Sequence, residues 1–131
     1  MYKAPTGEEY FILDGHTHFW DASPENQRNI HGKQFIDCFY GYHSALSPPE
    51  EVWTREQFDK YDAEKMHQDV IVDGHVDMAI VQSTRLKDFY KKGFNTPEKN
   101  YELVKKYPER FIVSGAFDPR DGEHALEDIA Y

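Results

Sequence analysis

The chain has 131 residues, of which 24 are acidic and 15 basic, giving a formal net charge of -9. This acidic balance argues against a nucleic-acid partner, because no basic stripe could follow a phosphate backbone. Hydrophobic residues make up 39% of the chain, enough for one packed domain, but no run approaches the roughly 20 apolar residues of a membrane helix.

The single cysteine and the first residues of the chain exclude further classes of protein. Cys38 is the single cysteine, so an internal disulfide and a thiolate metal cage are both excluded. Residues 1–11 show neither the basic start nor the apolar stretch of a signal peptide. We therefore expect a cytoplasmic protein that does not enter a membrane.

The first predicted elements are a strand and a long loop. Residues 10–13 form a short apolar run that ends at Asp14-Gly15, which is typical of a buried strand. Residues 19–53 are rich in Asn, Ser, Gly, Pro and aromatic residues without steady periodicity. Because long structureless segments in compact domains are often functional, we expect this loop to cover one end of the fold.

A helix is predicted after the loop. Thr54 and Gln57 have the spacing of a capping box, in which the two side chains satisfy amide groups reciprocally. The helix should end near Asp73-Gly74. Its apolar face would consist of Phe58, Tyr61, Met66 and Val70.

Two further strand–helix units follow. Residues 76–81 predict a second strand, and Thr96-Pro97-Glu98 has the cap, proline and acidic residue of a helix start, with Pro108 as its stop. Residues 111–117 predict a third strand, and residues 123–131 begin a helix without a stop signal. We therefore expect the sequence to be interrupted within this last helix.

This alternation predicts an α/β fold with a parallel sheet and right-handed crossovers. Three strands are too few for a closed (β/α)8 barrel, which typically takes about 250 residues. The whole chain, residues 1–131, is thus predicted to be one partial α/β domain with a long loop at about 19–53.

The strongest chemical signal is Asp14-Gly15-His16-Thr17-His18. In an extended strand, alternate side chains project to the same side, so His16 and His18 could converge on one divalent ion. Asp14 lies on that side as well and could orient an imidazole. The alternative is a chance pair of loop histidines, which the preceding strand and the following Phe19-Trp20 make less favoured.

Other polar residues allow two interpretations each. Asp118, at the end of the third strand, either contacts the substrate or caps the turn before Pro119. Residues 82–84 end the second strand and either line a pocket or cap a loop. His31 and His43 are loop residues or interface residues. His75 follows a predicted helix cap, and Cys38 lacks a base at fixed spacing.

The segment from Phe11 to Trp20 resembles the first strand of the amidohydrolase superfamily of metal-dependent (β/α)8 barrels. The loop that follows and the strand that ends at residues 82–84 are similar to the branch that holds aminocarboxymuconate-semialdehyde decarboxylase and its hydrolase relatives. Residues 105–111, with a helix ending in Tyr-Pro-Glu-Arg-Phe, and Ala116-Phe117-Asp118-Pro119 resemble the approach to that branch's third strand and its end. The resemblance spans essentially the whole chain as the first three βα units, the first third of a barrel.

The resemblance implies that His16 and His18 are metal ligands, with zinc as the expected divalent ion. It also implies that Trp20 and the loop behind it shape a substrate pocket. The aromatic residues of that loop would line the pocket or a contact between subunits. The family's remaining ligands and its proton-transferring aspartate have no counterpart here, so the catalytic residues stay unknown.

Three functions follow from this reading. The first is a metal-dependent hydrolase acting on a small carbonyl or carboxylate substrate, present here as an N-terminal portion that lacks part of its active site. The second is a metal-dependent, non-oxidative decarboxylase of the same superfamily. The third is a non-catalytic small subunit that completes a barrel with a partner chain or forms a homo-oligomer.

Overall fold

The structure is a computed structural model, and it describes residues 1–130. The strands of this part of the chain are β1 (Tyr2–Lys3), β2 (Glu9–Tyr10), β3 (Leu13–Thr17), β4 (Trp20–Asp21), β5 (Lys60–Tyr61), β6 (Met78–Gln82) and β7 (Phe111–Ser114). The α-helices are α1 (Ile30–Leu46), α2 (Arg55–Asp59), α3 (Ala63–Met66), α4 (Pro97–Lys106) and α5 (Glu123–Ala130).

A three-stranded parallel sheet in the order β3-β6-β7 organises the fold. Thr17 pairs with Val81 across the first junction, and Ile80 pairs with Ile112 across the second. The predicted mixed α/β class with a parallel sheet is confirmed, and the arrangement is consistent with part of a (β/α)8 barrel. Because the strands are parallel, their carboxyl ends meet at one edge, where ligands usually bind in such sheets.

The first strand lies further along the chain than predicted. The apolar run of residues 10–13 is divided, because Glu9–Tyr10 pairs in a hairpin with Tyr2–Lys3. The Asp77 carboxylate accepts a hydrogen bond from the Ile12 amide at 2.9 Å, which leads the backbone into β3. The strand therefore includes His16 rather than ending before it, and Asp14-Gly15 does not terminate it.

The segment 19–53 is not a structureless loop, and that part of the prediction is wrong. It contains the 17-residue helix α1, whose first amides, those of His31 and Gly32, donate to the Asn29 side chain. Within α1 only Gly32 and Ile36 are fully buried, while its apolar side chains lie on several faces. Because no single apolar stripe forms, the usual helical period is absent from the sequence.

The predicted helix of residues 54–73 is interrupted. Its capping box is present between Thr54 and Gln57, and its end at Gly74 is as predicted. Between these points Lys60–Tyr61 forms an antiparallel pair with Trp20–Asp21. Asp62 then caps a new helix by accepting from the Lys65 amide, and the chain continues through a π-helical segment to Asp73.

The later elements follow the sequence prediction more closely. Helix α4 begins after Thr96 and ends at Lys106, with Tyr107 as its C-cap before Pro108. Helix α5 begins at Glu123 as predicted, and Tyr131 lies outside the described residues. Among the described residues, no helix is both long and apolar enough to cross a bilayer.

Two hydrophobic clusters hold these elements together. One lies between the sheet and its helices and is formed by Phe19, Tyr61, Met66, Ile71, Ala79, Val81, Leu103 and Phe111. The other lies beneath α1 and is formed by Ala22, Ile36, Phe58, Tyr90 and Phe94. Trp20 and Trp53 pack against both clusters, so the cluster beneath α1 is continuous with the core of the sheet.

Candidate metal centre

Strand β3 directs its two histidines to one side of the sheet edge. Thr17, between them, is buried and donates a hydrogen bond to the Ile80 carbonyl on β6 at 3.0 Å. Because side chains alternate along an extended chain, anchoring Thr17 turns its neighbours His16 and His18 away from that contact. His16 is exposed and His18 is half-buried.

The two imidazoles converge through their Nε2 atoms, which lie 2.8 Å apart. Their ring centroids are 4.7 Å apart, with an angle of 76° between the ring planes. Zinc–nitrogen bonds of 2.0–2.1 Å in a tetrahedral site would require a separation of about 3.3 Å. A small rotation of either ring therefore suffices for both nitrogens to bind one ion.

A backbone contact fixes the tautomer of His18. Its Nδ1 lies 2.8 Å from the Gln82 carbonyl oxygen, which can only accept a hydrogen bond. In the neutral ring Nδ1 therefore carries the proton, and Nε2 keeps its lone pair facing His16. Metal-binding histidines commonly have this arrangement, since the bond at the second nitrogen orients the ring.

Asp14 acts on the backbone rather than on an imidazole. Its carboxylate accepts a hydrogen bond from the His16 amide at 3.0 Å. The predicted contact of Asp14 with an imidazole is replaced by this backbone contact, which holds the turn of chain that presents His16.

The two histidines could supply only part of a catalytic metal site. Within residues 1–130, no group of three or more His, Cys, Asp or Glu side chains is arranged to hold a metal ion. Catalytic zinc sites normally have three protein ligands and a water molecule. The donor set of the described residues therefore fits two of the ligands of a divalent ion and falls short of a complete catalytic site.

An apolar cavity of about 170 Å³, called the aryl-lined pocket below, opens beside His18. Its polar side chains are those of His18 and Thr84. The rest of its described lining consists of Trp20, Phe35, Ile36, Phe39, Phe58 and Phe94. Of the three residues that end the second strand, Gln82 thus orients His18 through its carbonyl and Thr84 lines the pocket, whereas Ser83 accepts a hydrogen bond from Asn100.

Trp20 is fixed as a wall of this pocket. Its Nε1–H donates to the Phe58 carbonyl at 2.7 Å. Its ring is parallel to that of Phe94, with 5.9 Å between the ring centroids, and it also contacts Tyr61 at 5.0 Å. The pairing of Trp20–Asp21 with Lys60–Tyr61 holds the backbone of the same wall.

Asp118 lies in a different groove, which it shares with Arg120 and Phe89. Its carboxylate caps the turn at Pro119–Asp121 by accepting from the Arg120 amide, and it also accepts from the Arg120 guanidinium at 2.7 to 3.1 Å. The guanidinium lowers the pKa of Asp118 to about 2. The structure therefore does not bring Asp118 together with His16, His18 and Trp20.

Comparison with known proteins agrees with this geometry. The family model described as amidohydrolase matches residues 13–131. The chain belongs to the amidohydrolase family. No curated protein and no solved structure matches it. Family membership supports an enzyme of the hydrolase class in general, and members of this superfamily typically use divalent metal ions.

The other histidines of this amidohydrolase have structural contacts or lie apart from β3. His43 is in α1, where its Nε2 accepts a hydrogen bond from the Trp53 amide at 2.8 Å. His67 stacks on Tyr107, with ring centroids 3.9 Å apart. His31, His75 and His124 are exposed.

Sequence reasoning did not identify several residues that build the candidate site. Phe94 and Ile36 line the pocket, and the Gln82 carbonyl orients His18. Nothing in the local sequence around Phe94 signals this role. The Asn29 cap could have indicated α1 and, with it, the buried position of Ile36.

Proposed function

We propose that this chain carries the first two metal ligands, His16 and His18, of a metal-dependent amidohydrolase-type hydrolase acting on a small carbonyl or carboxylate substrate. The observation that carries the proposal is the 2.8 Å approach of the two Nε2 atoms, with the Nδ1 of His18 directed to the Gln82 carbonyl. Zinc is the expected ion, because it commonly takes imidazole nitrogens in open catalytic sites.

Each residue has a defined task in this proposal. His16 and His18 hold the ion through Nε2, and the Gln82 carbonyl keeps the proton of His18 on Nδ1. When bound, a divalent ion in this position lowers the pKa of a bound water to about 7 and polarises a carbonyl. Trp20 shapes the pocket in which the substrate lies, and a substrate contact of Asp118 stays a prediction.

The three parallel strands are interpreted as those of the first three βα units of a (β/α)8 barrel. The remaining ligands and the proton-transferring group would lie on further strands, in the same chain or in a partner chain. This follows from the ligand count, because two imidazoles on one strand hold a metal weakly. The isolated 131 residues are therefore expected to have little catalytic activity.

A non-oxidative decarboxylase is the second candidate, and the apolar lining of the pocket favours it. A carboxylate directed toward His18 from an apolar pocket loses hydration, which favours its conversion into neutral CO2. In that reaction the carbon–carboxyl bond breaks, its electron pair stays on carbon, and that carbon takes up a proton. Release of CO2 distinguishes this activity from hydrolysis, which consumes one water and forms no CO2.

The metal content of the protein produced from its native gene tests the proposal. We expect about one divalent ion per site in the wild type and at least a tenfold lower content in the His16→Ala/His18→Ala double variant. His31→Ala, which removes an exposed histidine of α1, is the matched control and should retain the ion. Unchanged metal content in the double variant would refute the proposal.

The intact mass of the same preparation distinguishes the arrangements of the site. A mass near that of a whole barrel places the other ligands in one chain. A 131-residue chain that purifies with a stoichiometric partner places them in the partner. A 131-residue chain that is monomeric and free of metal would contradict both arrangements.

A further inference from the structure

The aryl-lined pocket beside His18 has a shape and polarity that select a ligand. Trp20 and Phe94 lie parallel and form one wall. Phe35 meets Phe94 edge-on, with 5.4 Å between the ring centroids, and Phe39 contacts Phe35 at 4.8 Å. Parallel and edge-on rings of this kind pack well against another flat ring, because both arrangements suit the charge distribution of aromatic groups.

The interior of the pocket offers almost no hydrogen bonds. Trp20 would be a donor, but its Nε1–H is already bonded to the Phe58 carbonyl at 2.7 Å. The imidazole of His18 and the hydroxyl of Thr84 supply the polar groups of the described lining. A polar substituent placed among the aromatic rings would lose hydration without gaining a partner, so the pocket excludes it.

The volume of the pocket is sufficient for a ring-sized ligand. An apolar protein cavity of about 150 Å³ remains dry and binds benzene. The aryl-lined pocket measures about 170 Å³, which is enough for one six-membered aromatic ring. Because His18 is part of the lining, a group attached directly to that ring would meet the His16–His18 pair.

We propose that this pocket binds a single aryl ring of the substrate and directs the carbonyl or carboxyl group on that ring toward His16 and His18. The inference rests on the proposed function for the reacting group. The part of the inference that concerns the ring depends only on the lining of the pocket. The substrate class is thus an arene that carries one carbonyl or carboxyl group and has no polar group on the part that enters the pocket.

Benzene is the probe, since it lacks any metal-binding group. In the full-length protein treated with a chelator, the indole N–H resonances of Trp20 and Trp53 report two locations. Trp20 lines the pocket and Trp53 does not. We expect benzene to shift the Trp20 resonance saturably and to leave that of Trp53 unchanged. Equal, non-saturating shifts of both resonances would overturn the proposal.

Two substitutions on one helix face test the wall. Phe39 lines the pocket and is 51% exposed, so Phe39→Ala should fold and weaken benzene binding by about fivefold or more. Tyr42→Ala removes a ring that is 61% exposed and outside the pocket, and it should leave benzene binding unchanged. Equal benzene affinities in the two variants would refute the assignment.

His16→Ala separates this proposal from the metal proposal. His16 does not line the pocket, so this variant should bind benzene like the wild type while it loses metal. Loss of benzene binding in His16→Ala, with circular dichroism unchanged, would overturn the ring assignment alone. Retained metal with retained benzene binding would overturn the metal proposal alone.

Discussion

Two regions at the carboxyl end of the same sheet differ in how far the polar atoms of their side chains are already hydrogen-bonded. At the end of β3, His18 uses Nδ1 for the Gln82 carbonyl and leaves Nε2 directed at His16. After β7, both carboxylate oxygens of Asp118 are bound by Arg120. A backbone carbonyl can satisfy one nitrogen of an imidazole and leave the other available, whereas a guanidinium can bind both oxygens of a carboxylate at once.

The two regions also differ in burial and in how strongly solvent screens their charges. His18 lies beside the aryl-lined pocket, half-buried, where electrostatic interactions are less screened. Arg120 is 71% exposed on its side chain and also pairs with Asp88, so the charges beside Asp118 are screened by solvent. Position at a strand end therefore does not make a polar residue functional; its local partners decide whether it is available.

The largest expected effect comes from comparing an alanine substitution in each of the two regions. His18→Ala removes one of the two proposed ligands and should lower the affinity for zinc by at least tenfold. Asp118→Ala should leave that affinity unchanged, because its carboxylate is bound by Arg120 in a separate groove. Competition with a chromophoric chelator measures both affinities. A comparable loss in Asp118→Ala would show that the two regions form one site.

A second prediction concerns how α1 is held over the pocket. A methyl group added at Gly32 would lie 2.6 Å from the Phe89 carbonyl oxygen, so α1 approaches that backbone too closely for a side chain. Gly32→Ala should lower the free energy of unfolding by about 1–3 kcal/mol. Benzene binding should weaken while zinc affinity is retained, because β3 is untouched.

Gly41→Ala is the matched control in the same helix. Nothing lies within 4 Å of a methyl group at Gly41, so this change should raise the free energy of unfolding by about 0.5–1 kcal/mol. Urea denaturation of both variants measures the difference. If Gly32→Ala were as stable as Gly41→Ala, close docking of α1 would not be what holds this wall.

The sheet edge was predictable from the sequence because its signals are local. The alternation of residues 76–81, the capping box at Thr54 and the Thr96-Pro97 start each act within one turn or strand. The pair His16–His18 follows from the period of a strand in the same way. Pro119 suggested that Asp118 caps a turn, and in the structure the Asp118 side chain does accept a hydrogen bond from the Arg120 amide in that turn.

The pocket was not predictable for the opposite reason. Its wall depends on Lys60–Tyr61 pairing with Trp20–Asp21, about 40 residues earlier, and on Phe94 stacking against Trp20. Such contacts between distant residues override the helical pattern that residues 54–73 show. The exposed aromatic residues of α1 conceal its helical period, since they do not follow one stripe.

The smallest expected effect is electrostatic and concerns Asp118→Asn. The pKa of Asp118 is lowered from 3.8 to about 2 by Arg120, so the ionised carboxylate stabilises the folded state above about pH 4. That contribution decreases as pH falls from about 4 to about 2, and it is lost below about pH 2, where the carboxylate is protonated in the folded protein too. The stability gap between wild type and Asp118→Asn should therefore be present at pH 7 and vanish below about pH 2.

Salt and a partner substitution sharpen this last test. Because Arg120 is largely exposed, added salt should reduce the gap at pH 7, and Arg120→Gln should reproduce it. Urea denaturation at several pH values measures the gap, and one that did not change with pH would exclude the ion pair as its cause. Asp118→Asn also tests the predicted contact between Asp118 and the substrate. Loss of such a contact would raise KM in the full-length enzyme, whereas loss of a residue that only caps the turn would leave KM unchanged.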